Sequence, residues 1–146
     1  MTWKRHVGKV SATLTLLCPD AKPDELTAIL GIQPTHTDLT HHPTTFTPTG
    51  LKGARDYALW RYDSASQVSS PDINEHLKHL LTLFLSLKSR IEEMRPRPGV
   101  MVSIYWESIV ASTAGPQVDR ECIAGLAELG ASLDIHVVEI DKVDED

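Results

Sequence analysis

The chain has 146 residues, with 14 Lys and Arg against 20 Asp and Glu for a formal charge of −6, and it is 41% hydrophobic but only 5% aromatic. A chain of this length buries roughly two-thirds of the surface that it exposes when unfolded, so one domain over residues 1–146 can hold a core without disulfides or a structural metal. The negative balance excludes nucleic acid and an anionic membrane surface as main partners, because both recruit concentrated positive charge.

Apolar Val10, Ala12, Leu14 and Leu16 alternate with Ser11, Thr13 and Thr15, the period of two of a half-buried strand. The same polar residues break any signal-peptide core, and Leu17 is too large for the position before a cleavage site at Cys18. No apolar run approaches the roughly 20 residues of a membrane helix. A short helix then opens at Asp20 and Pro23, with Asp24 and Glu25 at its positive pole and Leu26, Ile29 and Leu30 on one face. Gly31 stops it by accepting the left-handed conformation, and Pro34 forbids continuation.

Residues 35–56 are rich in Thr, His and Pro and have no apolar period, which predicts a long loop of the kind that carries binding function. A second strand is expected over Tyr57–Asp63, with Trp60 as a core anchor. Ser70-Pro71-Asp72 starts a long helix whose apolar stripe runs from Ile73 to Met94, and Pro96 and Pro98 end it. A third strand over about Val100–Glu107, a helix over Asp119–Leu129 stopped by Gly130, and a fourth strand over Ser132–Ile140 follow, with residues 141–146 as an acidic tail. This order predicts an α+β two-layer sandwich, a ferredoxin-like variant: a four-stranded, mostly antiparallel sheet with three helices on one face.

The chemistry is sparse. Cys18 and Cys122 form neither a zinc spacing nor a redox pair, which points to a reduced, cytoplasmic setting. Seven histidines are more than the length requires, and a metal site built from His36, His41, His76 and His79 is the sharp hypothesis. His76 and His79 share a helix face, yet they lack the spacing and the intervening acid of the zinc-protease motif. The plainer reading has His76 beside the apolar stripe, bonding a backbone carbonyl, and His79 exposed. Asp134 and His136 point the same way along a strand, as an acid and a base would. No nucleophile elbow, phosphate loop or dinucleotide fingerprint occurs, and Lys88, Arg90, Arg95 and Arg97 suit the negative end of the long helix without a ligand.

The segments Asp24-Glu25-Leu26-Thr27-Ala28-Ile29-Leu30-Gly31-Ile32-Gln33-Pro34-Thr35, Leu59-Trp60, Glu75-His76-Leu77-Lys78-His79-Leu80-Leu81 and Leu129-Gly130-Ala131-Ser132-Leu133-Asp134-Ile135 together resemble the bacterial family of domain of unknown function 4279 over about residues 10–140. The resemblance implies a fold and no reaction or cofactor, and it carries Gly31, Pro34, Trp60, His76, Gly130 and Asp134 only as pattern positions. The loop after Pro34-Thr35 is longer than that family's usual connection.

The resulting expectation is a non-enzymatic cytoplasmic protein-binding or accessory module, of an immunity-like kind, that holds an unknown protein partner through a sheet edge or face and the 35–56 loop. It has no cofactor, and deletion of residues 38–50 is expected to weaken partner binding more than folding. His76, His79, Asp134, His136 and Trp60 are its candidate binding residues. The rival is a metal-dependent hydrolase or small-molecule binder using the histidines, and a third reading is a homodimer through the edge strand.

Overall fold

The computed structural model describes residues 7–43, 54–109 and 115–140. It is an α+β structure built on a single mixed sheet. The strands are β1 (Val7–Pro19), β2 (His36–Pro43), β3 (Ala54–Asp63), β4 (Gly99–Ile109) and β5 (Ser132–Ile140). The helices are α1 (Pro23–Leu30), α2 (Ile73–Leu85), α3 (Lys88–Glu93) and α4 (Arg120–Leu129), with a 3-10 turn at Ser64–Ser66 after β3.

The sheet order is β2-β3-β1-β4-β5. β1 lies antiparallel between β3 and β4, β2 is antiparallel to β3, and β5 runs parallel to β4. The connections explain that pattern. A parallel neighbour needs a crossover, and α4 supplies it between β4 and β5. β3 and β4 are parallel to each other with β1 between them, and α2 and α3 make that crossing.

Two expectations are corrected. The sheet has five strands rather than four, with an order and a parallel pair that a ferredoxin-like sheet does not have. The extra strand, β2, and the start of β3 lie inside the segment expected to be a loop. Thr37 and Leu39 sit opposite Trp60 and Ala58 on the helix side, yet both are exposed, so an edge strand wet on both faces left no apolar alternation to read. Residues 44–53 and the acidic tail 141–146 lie outside the described residues.

The long helix is also two helices, which makes four in all among the described residues. α2 ends at Leu85 and α3 restarts after Leu87, whose backbone has left the helical region. Leu87 and Ile91 remain buried, so the apolar stripe continues through the break and hides it from a periodicity argument.

The even positions of the inner strands face the helices. Val10, Ala12, Leu14 and Leu16 of β1, Ala58, Trp60 and Tyr62 of β3, and Val102, Ile104 and Trp106 of β4 meet Leu26, Leu30, Ile73, Leu77, Leu80, Phe84, Leu126 and Leu129 in one core. Ile29, expected on the buried face of α1, is 42% exposed. Gly31 and Gly130 take positive φ of 71° and 76°, where their N–H groups close the last turns of α1 and α4. Arg90 donates to the Ile29 carbonyl at the end of α1, so one of the basic residues satisfies a neighbouring helix terminus.

Candidate functional site

The candidate residues fall into three separate places. Trp60, His76 and His79 lie between sheet and helices. His36 and His41 lie on β2 at one sheet edge, and Asp134 and His136 on β5 at the other.

Trp60 has no solvent exposure and packs edge-on against Phe84, with ring centroids 5.9 Å apart. Its indole N–H donates to Thr27 Oγ1 at 3.1 Å, which ties β3 to α1.

His76 sits in the first turns of α2 at 1% exposure, within a chain of hydrogen bonds. The Ala12 N–H of β1 donates to Ser64 Oγ at 2.9 Å, and Ser64 Oγ lies 2.6 Å from His76 Nδ1. His76 Nε2 lies 2.6 Å from the Ser70 carbonyl, which can only accept, so Nε2 carries the hydrogen and Nδ1 accepts the serine hydroxyl. A serine on an imidazole is also how a nucleophile meets its base. Ser64 is 0% exposed, its oxygen is engaged by Ala12, and the far nitrogen of the imidazole is engaged by Ser70, which leaves no approach for a substrate. The cluster clamps the 3-10 turn, β1 and the entry to α2 together.

His79, one turn along, stacks on Tyr62 with centroids 5.8 Å apart, and its Nε2 lies 2.9 Å from the Tyr62 hydroxyl. The two histidines of α2 therefore serve two different anchors. His36 is exposed opposite Arg61, and the backbone of His41 pairs with Asp56, while the His41 side chain lies outside the described residues. Among the described residues no three His, Cys, Asp or Glu side chains group to hold a metal ion. Asp134 and His136 are exposed on the outer sheet face, in register with Ser103 and Tyr105 of β4. On the same face Glu107 accepts from the Lys9 N–H and the Tyr105 hydroxyl, which hold its carboxyl below the usual carboxylate range and push the Tyr105 phenol up.

Both cysteines are buried and free. Burial pushes the Cys18 thiol up to about 11 and raises Cys122 as well, so the N-terminus of α4 does not activate that sulfur.

Sequence reading missed Ser64, Asn74 and Trp106. Asn74 Nδ2 donates to Asp72 Oδ1 and to the Gln117 carbonyl, and its Oδ1 accepts from the Asp119 N–H at 2.7 Å, so one amide joins the starts of α2 and α4. An amide two residues after the Asp72 N-cap is the signal that its sequence position offered. Beside it opens a cleft of about 570 Å³ lined by Asp72, Asn74, Trp106, Gln117 and Asp119. The indole N–H of Trp106 is buried and has no partner among the described residues.

A single mixed sheet with helices against one face, stapled by a buried serine–histidine pair, defines an α+β protein. The chain belongs to the family described as a domain of unknown function, DUF4279, whose model matches residues 8–138. No curated protein and no solved structure matches it. Among the described residues no helix is long and apolar enough to cross a membrane.

Proposed function

We propose that this chain is a non-enzymatic, cytoplasmic protein-binding or accessory module that takes its partner along β2. The observation that carries the reading is the state of that edge strand. β2 ends the sheet, and His36, Thr37, Asp38 and Leu39 are exposed on its two faces, Leu39 by 53%. Such a strand offers main-chain groups for an added strand and alternate side chains for selectivity. The buried state of Ser64 and His76 supports a role without catalysis, and the two free buried thiols suit a reducing compartment.

Because β2 is paired along β3, removing residues 38–50 would strip β3 of its neighbour, so point changes make the sharper test. Thr37→Lys/Leu39→Lys places on the edge the charges that block strand addition. Both positions are exposed, so the thermal stability of this variant is expected to stay within about 0.5 kcal/mol per site of the wild type. Full-length wild type and variant are immobilised side by side, and the proteins retained from a lysate of the native cell are compared. A partner held by the wild type and lost by the variant supports the reading, whereas identical retention on both contradicts it.

A small-molecule reading draws on one different observation, the Trp106 N–H that has no partner among the described residues, beside the Asp72–Asp119 cleft. An acceptor group of a small acid bound there would satisfy that donor.

A further inference from the structure

The sheet's other edge has a different character. The register of β5 on β4 sets Leu133, Ile135 and Val137 opposite Val102, Ile104 and Trp106, on the helix side of the sheet. Their neighbours on β4 are buried, but these three are 36%, 50% and 52% exposed. Among the described residues α4 packs chiefly against α2 and leaves the helix-side surface of β5 open. Between Leu133 and Val137 that face carries no charge and no proline, and its charge, Glu139, stands only near the far end of the strand.

We propose that a second copy of this chain covers it, with β5 pairing antiparallel to β5 of the partner copy about a two-fold axis through Ile135. The inference is independent of the reading of β2, which lies at the opposite end of the sheet.

Symmetry and side-chain chemistry select the register. A two-fold that joins antiparallel edge strands stands perpendicular to the sheet, so it keeps both helix layers on the same side and passes through a residue that faces its own copy. With the axis on Ile135, isoleucine meets isoleucine, Leu133 meets Val137 twice, and on the outer face the Asp134 carboxylate meets the His136 imidazole twice. With the axis on Asp134, two carboxylates oppose each other. With the axis on His136, two imidazoles oppose each other and Leu133 faces Glu139. Of these registers only the one on Ile135 matches apolar with apolar on one face and a carboxylate with an imidazole that can hydrogen-bond it on the other, where the Asp134 register opposes two like charges.

The test is sedimentation equilibrium of the full chain across the micromolar range, with circular dichroism of each variant to confirm an unchanged fold. The wild type is expected to dimerise, and Ile135→Lys, which opposes two lysines on the axis, is expected to be monomeric. Asp134→Lys sets lysine against His136 at two symmetric places and is expected to weaken the dimer about tenfold. Adding His136→Asp to Asp134→Lys reverses each pair and restores wild-type affinity, a rescue that the other two registers do not give. A wild-type monomer throughout, a dimer indifferent to Ile135→Lys, or a double variant no tighter than Asp134→Lys each overturns the proposal. Because Asp134 and His136 are exposed, the rescue experiment stands even if Ile135→Lys fails to fold.

Discussion

Trp60→Ala is expected to lower the unfolding free energy by about 3–5 kcal/mol, the range for removing a buried aromatic ring. Trp60 is wholly enclosed, its ring meets Phe84 edge-on, and its N–H is spent on Thr27, so the variant loses ring contacts, leaves a cavity and cuts a tie between β3 and α1. Urea unfolding measures the loss as a fall in midpoint at constant slope. Trp60→Phe keeps most of the ring and gives up the hydrogen bond, and its smaller cost separates the two contributions. A loss below about 1 kcal/mol for Trp60→Ala would mean that the ring is not enclosed as described.

His76→Leu is expected to cost about 2–4 kcal/mol although it replaces a polar group with an apolar one in a buried place. The reason is the asymmetry of hydrogen-bond energetics: the Ser64 hydroxyl and the Ser70 carbonyl lose their partner while remaining where water does not reach Ser64. A double-mutant cycle with Ser64→Ala measures the coupling. The serine substitution is expected to cost at least about 0.5 kcal/mol less in the His76→Leu background than in the wild type. Strictly additive costs would contradict the clamp.

The legible and illegible parts of this fold divide along burial. β1, β4 and α4 follow from alternation, caps and stop residues because each has a face that packs or a terminus that needs a partner. β2 does not, because a strand wet on both sides has no reason to alternate, and its Thr and His residues look like a loop. β5 shows the converse: its range follows from the sequence, yet α4 docks chiefly on α2 and Leu133, Ile135 and Val137 are exposed. For the candidate site, the carbonyl partner of His76 was within reach of local reasoning, since Ser70 begins the helix that carries it. The serine partner was not, because Ser64 is bound to Ala12 across 52 positions of sequence, and such a pairing exists only once β3 lies beside β1. The histidine count suggested a metal, whereas among the described residues His76 sits in a buried clamp, His79 in a tyrosine stack and His36 at a strand edge.

The histidines of α2 serve the fold, His76 in the buried clamp and His79 against Tyr62. Thermal unfolding of the metal-stripped chain with added zinc, cobalt, nickel or small carboxylic acids checks that role. Any ligand that binds only the folded form adds about 2.7 kcal/mol at a hundred times its dissociation constant, a rise in unfolding temperature that such a scan resolves. A flat response is expected across the whole panel. A saturable rise with one metal that disappears in His79→Ala, or with one acid that disappears in Trp106→Phe, would contradict it.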